Sequence, residues 1–324
     1  MTTIIGRQIN IGIGKETTRG TAVAPSHYLR QMSADVDDKF EGVLSEQSIG
    51  ILEESDEFDV TKRWSEGSIE GRVLDSSFGL ILLATMGTVA SVESADTGVY
   101  NHTFTVNQST VHQSLTIDIK KSDIEQKKYA NCVIDSLEIT ADPAELVKFN
   151  ASFMGKAGAT STETPSYGSE NGFLGKHVSV KLADTYAGLG GASAINVNTL
   201  SLTITKSIAS DDILGSIEPD DFYNGRFIVE GQMELLFNAT TYKDKALAGD
   251  RQSIRIAITN SDVTIGATSN PGIVIDIPKA KITEYSEARE LDELVRQTVS
   301  FKGLYDTSEG KMIDIILTNL DTTI

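Results

Sequence analysis

Glu145-Leu146-Val147-Lys148-Phe149-Asn150-Ala151-Ser152-Phe153 returns near the end of the chain as Glu293-Leu294-Val295-Arg296-Gln297-Thr298-Val299-Ser300-Phe301. Five positions are identical, and a sixth exchanges Lys148 for Arg296. Side-chain chemistry alternates along both copies, the period-two signature of a β-strand with one face on a core. In the first copy Val147, Phe149, Ala151 and Phe153 share one face, while Lys148, Asn150 and Ser152 share the other. In the second copy Val295, Val299 and Phe301 form the apolar face, and Arg296, Thr298 and Ser300 the polar one. Two such strands, one near the end of each half, point to one module present twice.

Working outward, the neighbouring segments recur in the same order. The strand expected over residues 64–74 carries Glu66-Gly67 and Glu70, matched over 226–237 by Glu230-Gly231 and Glu234, with Met233 in the place of Ile69. Each is followed by a short helix. The first lies between the cap candidates Asp75-Ser76-Ser77 and the stop Gly87, with Phe78, Ile81, Leu82 and Thr85 as its apolar stripe. The second runs from about Thr240 to Gly249. Gln252-Ser253-Ile254 then echoes Gln113-Ser114-Leu115 at the start of the next strand. A hairpin over 133–140 and 146–154, turning at Asp142-Pro143, has its counterpart in 281–285 and 294–305, and 312–317 adds a closing strand. The expected fold is therefore mainly β, with two tandem β-sandwich or partial-barrel modules, each carrying one short flanking α-helix. The first module covers 1–157, with an extended arm at 1–28 and a polar insertion at 88–112. A Gly/Ser/Thr-rich linker covers 158–171, and the second module covers 172–324.

Composition narrows the function. A chain of 324 residues with 40% hydrophobic content can bury two cores. Its net charge of −18 excludes a protein that grips nucleic acid by its phosphates, though not one that lets nucleic acid pass. The single cysteine, Cys132, excludes an internal disulfide framework, fits a reducing compartment, and reads as a small buried hydrophobe. The N-terminus lacks a basic region followed by an apolar core, and the most apolar segment, 78–89, is too short to span a bilayer. A soluble intracellular product without membrane association is expected.

Chemical motifs are absent. Gly12-Ile13-Gly14-Lys15-Glu16-Thr17 fails the phosphate-loop pattern, because position 9 is Ile and position 16 is Glu. His27, His102, His112 and His177 are scattered without zinc spacing, and no nucleophile elbow occurs. Carboxylate pairs arise by chance among 46 acidic residues, and one tryptophan, Trp64, makes a poor sugar platform. No enzyme, cofactor or metal is expected. Acidic clusters at Asp35, Asp37, Asp38 and Glu41, at Glu53, Glu54, Asp56, Glu57 and Asp59, and at Asp211, Asp212, Glu218, Asp220 and Asp221 read as solvated loops or assembly surfaces.

Ile13-Gly14-Lys15-Glu16-Thr17-Thr18-Arg19-Gly20-Thr21-Ala22 is similar to the opening of one family of tail tube (major tail) proteins of long-tailed bacteriophages. The ending also resembles that family, in Val299-Ser300-Phe301-Lys302-Gly303-Leu304-Tyr305-Asp306 and Met312-Ile313-Asp314-Ile315-Ile316-Leu317-Thr318-Asn319. The resemblance implies a structural virion protein whose modules form six-fold rings stacked into a hollow tube around a continuous inner β-barrel. With two modules per chain, it implies homotrimeric, pseudo-hexameric rings. The implied partners are copies of the chain, the tape measure protein, the tail terminator and baseplate proteins, with DNA passing through the lumen unbound. Glu66, Glu70, Glu230 and Glu234 are then candidates to face the lumen, where carboxylates repel phosphate. Lys148 and Arg296 are candidates for contacts between modules or neighbouring subunits. Glu53, Glu54, Asp56, Glu57, Glu218, Asp220 and Asp221 are candidates for loops reaching the next ring. Another virion ring component, or a carbohydrate-binding or adhesin β-sandwich, is the alternative.

Overall fold

A computed structural model of the chain describes residues 3–54 and 57–324. In chain order, a 3-10 turn (Gly6–Gln8) leads into β1 (Ile9–Lys15), β2 (His27–Leu29) and a long hairpin of β3 (Gln31–Leu44) and β4 (Phe58–Arg72). Helix α1 (Phe78–Met86) precedes β5 (Gly87–Glu93), β6 (Tyr100–Val106), β7 (Leu115–Lys121), β8 (Glu125–Ala141), β9 (Lys148–Gly155) and β10 (Ala159–Thr160). The second half opens on another 3-10 turn (Gly175–His177), followed by β11 (Val178–Ala183), β12 (Ala194–Ile195), β13 (Thr199–Thr205), β14 (Ile208–Asp211), β15 (Asp221–Asn224) and β16 (Ile228–Leu236). Helix α2 (Thr241–Ala248), β17 (Arg251–Thr259), β18 (Gly272–Ala288), β19 (Arg296–Gly303) and β20 (Asp314–Asn319) complete the chain. As expected from the alternating patterns, the fold is mainly β.

Pairing repeats between the halves down to its irregularities. β1 lies on β7 with Ile11 opposite Ile119, and β11 lies on β17 with Val180 opposite Ile256. β7 slips against β8 between Leu115 and Ile117, and β17 slips against β18 between Gln252 and Ile254. β8 is bulged against β9 between Ile134 and Ser136, and β18 against β19 between Ile282 and Glu284. Such bulges bend a strand. They allow the 17-residue β8 and β18 to serve an outer sheet with their first half and a second sheet with their last. That second sheet is a wall of eight antiparallel strands in the order β3, β4, β9, β8, β13, β16, β19, β18.

Close packing explains the repeated Glu-Gly pair. A Cβ on Gly231 would stand 2.3 Å from Cζ of Phe301, and one on Gly67 would stand 1.9 Å from the Asp35 carbonyl oxygen. Glycine is needed where backbone or ring approaches this closely.

Helix α1 is buried on every side, not amphipathic as its stripe suggested. Its Ser77 makes no side-chain cap, but Gly87 ends it in the left-handed region at φ 93°. Three of its last four carbonyls find donors, and a ring nitrogen of His112 faces the fourth. Gly87 N reaches Leu83 O, Lys206 Nζ reaches Ala84 O at 2.7 Å, His112 Nδ1 lies 3.2 Å from Thr85 O, and Asn107 N reaches Met86 O at 2.8 Å. Helix α2 ends likewise at Gly249, φ 67°, yet buries none of its residues.

Several expectations are corrected. The arm at 1–28 contains a core strand, β1, whose Ile11 and Ile13 are buried. The acidic run after Tyr28 is strand β3, not a loop, and it carries Asp35, Asp37, Asp38 and Glu41. The polar insertion is the hairpin of β5 and β6, and β6 pairs with the C-terminal β20. The linker is tied down by β10 on β8, by Glu163 on Lys128, and by Asn171 on Asp75. Register aligns Gln252 with Leu115, not with Gln113, so that echo was set two residues off.

Gly231→Ala should lower stability by about 1–3 kcal/mol by overpacking Phe301, read as an earlier thermal or denaturant midpoint. Gly190→Ala, where nothing lies within 4 Å of the added carbon, should change it little.

Candidate assembly interface

Cross-strand neighbours share a face, so the register brings one polar face onto the whole wall. Glu66 stands between Asp37 and Met154, and Glu70 between Ser33 and Asn150. Glu230 stands between Thr203 and Lys302, and Glu234 between Thr199 and Thr298. The four glutamates expected to face a lumen therefore lie on a single surface, together with Glu138, whose Oε1 accepts from Ser201 Oγ at 3.1 Å across the β8–β13 junction. Behind them, Ile69, Ala151, Leu137, Leu202, Met233 and Val299 are buried in the core.

Lys148 and Arg296 occupy equivalent positions on this face, opposite Arg72 and Leu236. Neither makes the module-to-module bridge expected of it within the chain. Lys148 Nζ pairs with Glu145 Oε2 at 2.7 Å, and Arg296 Nη1 with Glu234 Oε1 at 2.5 Å, because each finds a carboxylate on its own half first. Lys302 likewise holds Glu230 at 2.6 Å. In the first half Glu66 meets only Lys39, at 4.0 Å, and accepts from Trp64 Nε1.

The Gly-Lys-Glu-Thr-Thr-Arg stretch organises a buried polar hub. Glu16 accepts from Gly20 N, Ser114 Oγ, Thr116 Oγ1 and Asn131 N at 2.6–3.0 Å. Arg19 donates to His112 O and Phe222 O, each at 2.6 Å, and pairs with Asp221 Oδ1 at 2.7 Å. Asp221 is thus an internal tie from the second half to the first, which removes it from the loops expected to reach another ring. Burial alone would raise its pKa, but hydrogen bonds from Asn131, Phe222 N and Arg19 outweigh burial and hold it below the ordinary carboxylate range.

Both ends of the wall expose apolar side chains among charged ones. Beyond the last β9 pair, the β3–β4 hairpin continues for about 20 Å and exposes Phe40, Val43, Leu44, Ile51, Leu52 and Phe58. The second half's 212–218 loop touches it, with Arg63 N donating to Ile217 O and Lys62 paired to Asp212. That loop exposes Leu214 and Ile217, beside Glu218 and Asp220. Glu53 and Glu54 are exposed at the hairpin tip, and Glu57 O accepts from Ser45 N. Asp56 lies outside the described residues. At the opposite end the turn before β19 exposes Leu291 and Leu294. Contiguous exposed apolar surface marks a site of association.

A comparison with protein families matches residues 6–303 to the family described as phage tail tube protein. The chain belongs to that family. It is accordingly a structural component of a phage tail that assembles with copies of itself into a tube and associates with other tail components. No curated protein matched the chain. Among the described residues no helix is long and apolar enough to cross a membrane, and no group of His, Cys, Asp and Glu is placed to hold a metal ion.

A depressed carboxylate stabilises the fold above its unfolded pKa, here 3.8, and that contribution is lost as pH falls through the lowered folded value. Asp221→Asn should therefore melt below the wild type at neutral pH, with the gap closing as pH drops below about 4. Arg19→Ala, which leaves Asp221 without its cation, should cost about 3 kcal/mol in a denaturant titration.

Proposed function

We propose that three copies of the chain join edge to edge into a ring, that rings stack into the tail tube, and that DNA passes along the polar wall. The observation that carries this is the junction of β8 with β13. There the first half's wall continues into the second through six facing pairs, from Ser136 opposite Thr205 to Ala141 opposite Leu200. The same two edges recur at the ends of the wall. β3, the counterpart of β13, pairs on one side with β4, and no strand among the described residues occupies its other side. The last part of β18, the counterpart of β8's last part, has β19 on one side and, among the described residues, no strand beyond Lys281 on the other. An edge contact repeated head to tail closes a ring when its rotation divides the circle.

On this reading the chain is two units, 1–157 and 172–324 joined by 158–171, and three chains supply six units. The polar face lines the lumen. Its carboxylates repel the phosphate backbone, so DNA slides without the counterion release that would hold it. The tape measure protein, the tail terminator and baseplate proteins are the chain's partners, and the apolar side chains at the wall's ends mate between rings. Assembly takes place in the host cytoplasm, and no bond is made or broken.

Negative-stain microscopy of the concentrated protein, with or without an initiating complex, should show hollow tubes and end-on rings with three-fold symmetry. A monodisperse monomer under every condition would overturn the reading. Glu66→Lys together with Glu70→Lys should leave tube formation intact and slow DNA delivery, measured as ejection rate from assembled virions.

A further inference from the structure

We infer that the contact between neighbouring chains is set to one register by Lys39 of β3 facing Glu284 of β18 in a second copy. This inference rests on the ring reading above and adds the register and the residues that choose it. The internal β8–β13 junction supplies the template, and the bulges shared by both halves supply the alignment.

Phe153 faces Ile134 and Phe301 faces Ile282. Past each bulge Ser152 faces Ser136, and Ser300 faces Glu284. Ser136, Leu137, Glu138, Ile139 and Thr140 of β8 thus correspond to Glu284, Tyr285, Ser286, Glu287 and Ala288 of β18. On the other side, Val36 faces Gly67 as Leu202 faces Gly231, so Ala34 to Lys39 of β3 correspond to Leu200 to Thr205 of β13. Transferring the internal pairing to two chains sets Lys39 opposite Glu284, Asp37 opposite Ser286 and Asp35 opposite Ala288 on the polar face. On the core face it sets Asp38 opposite Tyr285, Val36 opposite Glu287 and Ala34 opposite Arg289.

Chemistry separates this register from its neighbours. Inside the chain the equivalent of Lys39–Glu284 is the neutral pair Thr205–Ser136. Between chains it is a pair of opposite charges. Glu284 is exposed and has no ion-pair or hydrogen-bond partner among the described residues, and Lys39 reaches Glu66 only at 4.0 Å. A slip of one residue would turn the core side chains to solvent. A slip of two in either direction keeps the faces but sets Glu284 against Asp37 or Glu41, carboxylate on carboxylate. The alternation Asp37, Lys39, Glu41 therefore admits one register and penalises both near alternatives.

The test is a charge exchange read by ring formation at low salt, with circular dichroism confirming that each variant folds. Lys39→Glu, at a half-buried position, and Glu284→Lys, at an exposed one, should each raise the protein concentration needed for rings by about tenfold. The double variant should recover wild-type assembly, and added salt should narrow the differences. A second measurement reads register directly. Lys39→Cys combined with Glu284→Cys should cross-link neighbouring chains under oxidation, whereas Glu41→Cys combined with Glu284→Cys should not. Rings from both single variants at the wild-type concentration, a double variant as impaired as its parents, or preferential cross-linking in the variant carrying Glu41→Cys would each overturn the register while leaving the ring standing. Absence of rings from the wild type would overturn the ring reading itself.

Discussion

Everything in this molecule depends on the backbone junction between β8 and β13. A sheet edge is a row of unpaired donors and acceptors, and a free edge is a template for association. Here the first half closes its edge on the second, with Leu137, Ile139 and Ala141 meeting Leu200, Leu202 and Ile204 on the buried face. Because β8 also carries β7 on its first half, the junction binds both sheets of one half to the wall of the other. The bulges at Ile134 and Ile282 matter for the same reason, since they let one strand serve two sheets.

The two halves share a plan but not an environment. Helix α1 is covered by β8, β5, β6, β1 and the buried amine of Lys206, so an almost wholly apolar sequence suits it. Burial, and then the positive charge of Arg19, push the Lys206 pKa down to about 7. The second half has no equivalent of β5 and β6 among the described residues, and Thr241–Ala248 is correspondingly polar, with Tyr242 half-buried against the core and no residue fully buried. Arg19 and Asp221 add a further tie across the halves, made by a segment whose sequence offered only small and charged residues.

Much of the wall was legible because burial on one face alone leaves a period-two signal. β4, β9, β13, β16 and β19 all carry it, and membership of the tail tube family agrees with the resemblance at both ends of the chain. β3 was hidden because only Val36 is buried along it, so an acidic edge strand looks like a loop. β1 was hidden by Gly12 and Gly14, which resemble loop glycines. They are instead required where Pro25 and the Ala24 carbonyl cross the strand, at 2.6 and 2.7 Å from an added Cβ. A further repeat opens the two halves. Ile5-Gly6-Arg7-Gln8-Ile9-Asn10-Ile11 matches Leu174-Gly175-Lys176-His177-Val178-Ser179-Val180. In both, the fourth side chain accepts from the backbone N–H of the first residue at 3.1 Å. The ties of Asp221 and Lys206 left no local pattern, since their partners lie far away in sequence.

The doubled strand at Glu145–Phe153 and Glu293–Phe301 implies equal geometry, but the charges on it are not equal. Glu230 and Glu234 are each held by a cation on β19, whereas Glu66 has a distant lysine and Glu70 faces Asn150. In the proposed ring the backbone would repeat six times while the uncompensated acid would repeat three times. In that ring a phosphate chain moving along the wall would meet alternating neutralised and acidic panels, and repulsion would come from one half of each chain. The other half's glutamates are free of that task and serve to orient Arg296 and Lys302 against the sheet. The shared register gives both halves the same wall, and the exchange of Met154 for Lys302 places beside Glu230 a cation that Glu66 lacks.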